Sequence, residues 1–175
     1  MPIFGGSKRP RLDGLTREEE KRRDALNPEV LRRSGEKGVV GQAPSAAAIL
    51  RERTESEPRD MLWPLLLGSQ MMSMRRFGQA IEAFGEALER DPREVRAHYG
   101  AAMACYRAAE YKQDHGEASA DDVAPADMTL DNLYQESLRH FQDAMDLTPD
   151  KSERDELAAA AATVRRAVAR KSGRL

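Results

Sequence analysis

The sequence predicts an all-α fold. From residue 60 onward the apolar side chains recur at helical spacing, no stretch alternates apolar and polar residues with period two, and one stretch repeats another 57 residues later. Four to five helices are expected over 59–175, behind a mobile charged tail over 1–58 that forms only short transient helices.

The tail is expected from its composition. Residues 1–58 hold Phe4 as their one aromatic and 22 charged side chains, 12 basic and 10 acidic. Such a segment buries too little apolar surface to offset the entropy of ordering it. Lys8-Arg9-Pro10-Arg11 is a basic cluster of a kind found in import signals, in phosphate-binding patches and most commonly on solvated termini. Thr16 followed by Glu19 has the pattern of a capping box, opening a helix that should stop at Asn27-Pro28. Pro28 then opens another turn through Leu31. Gly35, Gly38 and Gly41 mark a flexible stretch, and Ser45 caps a helix over 46–53 with Ile49 and Leu50 as its large apolar residues.

The helical domain is read from side-chain spacing. Ala80, Ile81, Phe84, Ala87 and Leu88 share one face of a segment closed by Asp91-Pro92. Val95, Tyr99, Ala102, Met103 and Tyr106 mark the next helix. Leu130, Leu133, Tyr134, Leu138, Phe141 and Met145 mark the one after a polar loop, and an alanine-rich stretch over 157–168 closes the chain. The self-similarity ties two of these together: Phe77, Ala80, Phe84, Ala87 and Pro92 recur as Tyr134, Ser137, Phe141, Ala144 and Pro149. Aromatic, small, aromatic, small and proline stand in register.

On these residues the chain resembles the tetratricopeptide repeat (TPR) family, whose unit of about 34 residues is a pair of antiparallel helices with an L-G in the first and A-x3-F and a closing proline around the second. Leu67-Gly68, Met71, Ala80, Phe84, Ala87 and Pro92 carry the likeness over 61–94, with Trp63 and Pro64 standing where the family has its large aromatic at residue 64. A second unit over 95–150 has Ala101-Ala102 in place of L-G and an insertion around 112–133, where Gly116, Pro125 and Asp121-Asp122 lie; Asp127 or Thr129 caps the returning helix. Residues 151–171 would be the capping helix. The resemblance implies a right-handed solenoid of antiparallel helix hairpins, with small residues where backbones approach and aromatics between hairpins.

In that family the first helix of each hairpin forms a concave face that binds extended peptides or helices. The resemblance places Leu62, Leu65, Met72, Arg96, Tyr99, Met103 and Tyr106 there, together with Ser69. These side chains either line a groove or bury one another, and both readings stay open. Relatives that hold the carboxylate tails of heat-shock chaperones use Lys, Asn and Arg at inward positions, where this chain has Leu65, Ser69, Gly100, Glu153 and Leu157. The implied occupant is therefore an apolar peptide, an amphipathic helix or the chain's own 46–50 segment. Met71, Met72, Met74 and Met103 suit an adaptable surface.

Catalysis finds no support in the residues. No phosphate-loop, dinucleotide or nucleophile-elbow motif is present, and His98, His115 and His140 stand far apart in sequence, so no metal or cofactor is expected. Cys105, the single cysteine, lies among alanines as a buried, inert thiol. Residues 1–58 carry a net charge of +2 and 59–175 one of −4, a small asymmetry that disfavours nucleic acid as main partner. Arg165, Arg166, Arg170, Lys171 and Arg174 complement a helix C-terminus, with an acidic partner, lipid or RNA as the other use. Residues 61–67 are too few to span a bilayer, no targeting segment stands at the start, and the cytoplasm is the expected compartment. The function expected is a non-catalytic protein-interaction or assembly module binding an apolar or amphipathic segment. The alternatives are a structural subunit whose tail lies along a large complex and an RNA-associated factor.

Overall fold

The computed structural model describes residues 14–36, 45–116, 125 and 127–171, with side chains in the first stretch described over 14–26. These residues form seven helices and, among them, no strand: α1 (Arg17–Glu36), α2 (Ala46–Ser56), α3 (Leu62–Ser73), α4 (Phe77–Arg90), α5 (Val95–His115), α6 (Leu130–Leu147) and α7 (Lys151–Lys171). The all-α expectation holds. Lys8–Arg11, Gly38, Gly41, Asp121, Asp122 and Arg174 lie outside the described residues.

Side-chain caps set where the helices begin. Thr16 and Glu19 form the reciprocal capping box, the Glu19 amide donating to the Thr16 hydroxyl at 3.2 Å and the Thr16 amide to the Glu19 carboxylate at 2.7 Å. Ser45 accepts from the Ala48 amide, and Thr129, rather than Asp127, accepts from the Asn132 amide. Gly116, at φ 79°, supplies the left-handed residue after α5. Contrary to the sequence reading, α1 runs through Pro28 and Gly35. A proline there has no amide to donate to the Asp24 carbonyl.

Successive helices pack on one another: α2 on α3, α3 on α4, α4 on α5, α5 on α6 and α6 on α7, with a further contact between α3 and α5. One buried cluster joins α2, α3, α4 and the start of α5, a second joins α5, α6 and α7, and Met72 and Ile81 touch both. Ala46–Ser56 therefore belongs to the folded unit, and the boundary expected between residues 58 and 59 falls inside it. Ile49 and Leu50 are buried against α3. Arg90 of α4 donates to the carbonyls of Thr54 (3.0 Å), Glu57 (3.4 Å) and Asp60 (2.7 Å), tying the end of α2 to α4. Residues 112–115, at the start of the stretch between the second pair of repeat-related helices, are part of α5, which runs to His115.

Phe84 is the central packing element. Its ring lies so close to the backbones of α3 and α5 that a Cβ at Gly68 would stand 2.7 Å from it and one at Gly100 2.5 Å. Gly85, one residue on, faces open space. Helix propensity alone favours Ala over Gly by about 1 kcal/mol. Gly85→Ala should thus stabilise by about 1 kcal/mol in urea unfolding, while Gly68→Ala and Gly100→Ala should destabilise by roughly 1–3 kcal/mol through overpacking. Phe84→Ala should cost about 3–5 kcal/mol. In a Phe84→Leu background the Gly100→Ala penalty should shrink; an unchanged penalty would contradict the assignment of the ring as the obstacle.

Candidate functional site

Above Phe84 the facing sides of α3 and α5 leave a cleft of about 330 Å³. Leu65, Ser69 and Met72 line one wall, Arg96, Tyr99, Gly100 and Met103 the other, with Phe84 between and Gly14 and Leu15 at the mouth. Six of the eight residues expected on the inward surface meet here: Leu65, Ser69, Met72, Arg96, Tyr99 and Met103. Leu62 does not, being only 2% exposed within the first core cluster. Tyr106 lies farther along α5, its ring 6.4 Å from that of Tyr134 and its hydroxyl donating to Glu110 at 2.6 Å. Tyr99 meets Phe141 edge-on, with ring centroids 6.2 Å apart.

The mouth of the cleft is latched by charge. Arg96 donates to both carboxylate oxygens of Glu19 at 2.7 and 2.8 Å, to Glu94 at 2.7 and 3.0 Å, and to the Gly14 carbonyl at 3.3 Å. Burial works against the Glu19 carboxylate, but hydrogen bonds from Arg96 and Thr16 outweigh it and hold its pKa down at about 2. Arg96 is raised above its ordinary value because its bonds to Glu94 and Glu19 outweigh its own burial. Elsewhere α1 is tied by an ion pair from Arg22 to Asp60, the same guanidinium lying 4.8 Å above the Trp63 ring. Among the described side chains, Leu15 and Leu26 are the apolar ones that α1 and its lead-in place against the core. The occupant at the mouth is thus the chain's own 14–19 stretch; the 46–50 segment instead packs as part of α2 against α3.

Two further arrangements could not be read from sequence spacing. Lys112, buried on α5, donates to the carbonyls of Pro125 (2.9 Å) and Met128 (2.7 Å) and so holds the end of the inserted connection against the helix. His98 and His140, far apart in sequence, stand with their Nδ1 atoms 3.1 Å apart across the α5/α6 contact, and Asp143 lies beside them. Burial, with Arg139 and His98 nearby, pushes His140 down to about 4. Cys105 is buried, and burial pushes its thiol up to about 12, as expected of an inert cysteine. At the C-terminal end Arg165, Arg166 and Arg170 are on α7, and Lys171 pairs with Asp131.

No helix among the described residues is long and apolar enough to cross a membrane. Compared with known proteins, the chain matches no family model, no curated protein and no solved structure.

The latch makes a pH prediction of definite sign. A carboxylate whose folded pKa is depressed contributes stability above its ordinary value of 4.5, and loses it as pH falls toward 2. Docking of α1 should weaken over that window by on the order of 2–3 kcal/mol. Trp63 is the one tryptophan and lies under Arg22, so its emission reports α1. Wild-type emission should change between pH 4.5 and 2, and Glu19→Gln should already show the changed emission at pH 7. Identical pH profiles for the two proteins would exclude the latch.

Proposed function

We propose that the chain is a non-catalytic binding module of the tetratricopeptide type. Its α3/α5 cleft receives a segment of a partner protein that presents an apolar side chain followed, four residues later, by a carboxylate. One observation carries this reading: the chain fills the mouth with such a segment of its own, Leu15 at the apolar wall and Glu19 on Arg96. Packing of each helix on the next, and small residues where the Phe84 ring meets α3 and α5, support the family reading. In this account the own segment is a resident that a better-matched partner displaces. The Glu19–Arg96 pair is mostly shielded from water, so the partner displaces it by offering Arg96 an equivalent carboxylate rather than by outcompeting a weak contact.

The test uses a fluorescent synthetic peptide of residues 14–26 and the full chain. Glu19→Arg places like charges at the latch and should release the resident segment. The variant should then bind the peptide at least tenfold more tightly than wild type, whose tethered segment competes at high effective concentration. Adding Met103→Glu or Tyr99→Ala to Glu19→Arg should abolish the gain, whereas Tyr106→Ala should leave it, since Tyr106 is outside the cleft. Equal peptide binding by Glu19→Arg with and without Met103→Glu would defeat the proposal.

A further inference from the structure

A second site lies on the side of α5 that faces α6. His98, at the start of α5, is 8% exposed, and its Nε2 is 3.1 Å from the Pro92 carbonyl. An N–H at Nε2 donating there leaves the Nδ1 lone pair directed at α6. The Nδ1 of His140 is 3.1 Å from it and Oδ2 of Asp143 3.7 Å, and one donor atom from each residue falls within 4.8 Å of the others. Tetrahedral zinc holds nitrogen and oxygen ligands at about 2.0–2.2 Å, which sets neighbouring ligand atoms roughly 3.3 Å apart. The separations on either side of His98 Nδ1 bracket that value.

We propose that His98, His140 and Asp143 form a binding site for a divalent zinc-type cation, with His98 Nδ1, His140 Nδ1 and Asp143 Oδ2 as ligands and water completing the shell. Two imidazoles and one carboxylate match the ligand preferences of zinc, and magnesium or calcium would call for more oxygen. The Pro92 carbonyl does for His98 what outer-shell acceptors commonly do for zinc histidines, fixing ring orientation and tautomer. Without the ion, one arrangement satisfies the same groups: Arg139 donates to Asp143 at 3.1 Å and lies 3.1 Å from His140 Nε2, while His140 Nδ1 donates to His98. Arg139 is more than half exposed, so it can swing into solvent and yield the carboxylate. Once it leaves, the His140 proton moves to Nε2 and both Nδ1 lone pairs are free. Because the ligands come from α5 and α6, the ion would clip those helices together.

Zinc chloride titrated calorimetrically into chelator-washed, untagged full-length protein should bind one to one. His140→Gln and Asp143→Asn, at sites less buried than His98, should each weaken binding at least tenfold; His115→Gln should not change it. Arg139→Ala should tighten binding, because it removes the cation that holds Asp143, an effect that a purely structural role for these residues would not produce. Cobalt(II) should give visible absorption of low coordination number in wild type and lose it in His140→Gln. Saturating zinc should raise the melting temperature of wild type and not of the two ligand variants. No binding heat in wild type, or equal zinc affinity in wild type and His140→Gln with native circular dichroism, would overturn the proposal.

Discussion

The contact between the Phe84 ring and the backbones at Gly68 and Gly100 constrains the rest of the molecule. An aromatic edge received directly against two helix backbones leaves no room for a methyl group on either, which brings α3, α4 and α5 together in a single register. Once they are so placed, Leu65 and Met72 face Tyr99 and Met103 across a cleft floored by the same ring. The second hairpin follows from a smaller version of the device: Ser137 of α6, where the repeat has Ala80, is buried against α5 and donates to the Ala102 carbonyl at 2.8 Å. A serine there satisfies its own hydroxyl and keeps the close approach that alanine gives to the first unit.

The two N-terminal helices are fastened by different forces. Helix α2 is attached by burial of Ile49 and Leu50 and by the Arg90 fork on its last carbonyls. Among the described side chains, those over 14–26 attach α1 and its lead-in through ion pairs, Glu19 to Arg96 and Arg22 to Asp60, and through apolar contact from Leu15 and Leu26. Burial of that kind is lost when a core opens, whereas ion pairs at a cleft mouth exchange readily for equivalent pairs with another carboxylate.

Much of this was legible in the sequence because it rests on local signals. Thr16 with Glu19, Ser45 and Thr129 are caps that act within three residues, and Phe84 and Ala80 declare themselves by helical spacing. The assignment of α2 to a tail came from averaging composition over 58 residues, which hid Ile49 and Leu50 among charged neighbours. The Glu19–Arg96 latch spans 77 residues and the His98–His140 contact 42. Pairs at such separations leave no period or motif; they become visible when two helix axes are laid side by side. The repeat resemblance left open whether the inward side chains line a groove or bury one another; Leu62 and Tyr106 fall outside the cleft because spacing sets the face of a helix and not how far along it a cleft extends.

The central claim is that the α3/α5 cleft is a recognition surface built on Phe84 and covered at its mouth by residues 14–19. Nuclear Overhauser measurements on the full chain with labelled methyl and glycine sites test it most directly. The account predicts contacts from the Leu15 methyls to side chains of the cleft in wild type and their loss in Glu19→Arg. Contacts from the Phe84 ring to the Gly68 and Gly100 α-protons should persist in both proteins. Absence of the Leu15 contacts in wild type, or loss of the Phe84 contacts together with them in Glu19→Arg, would contradict it.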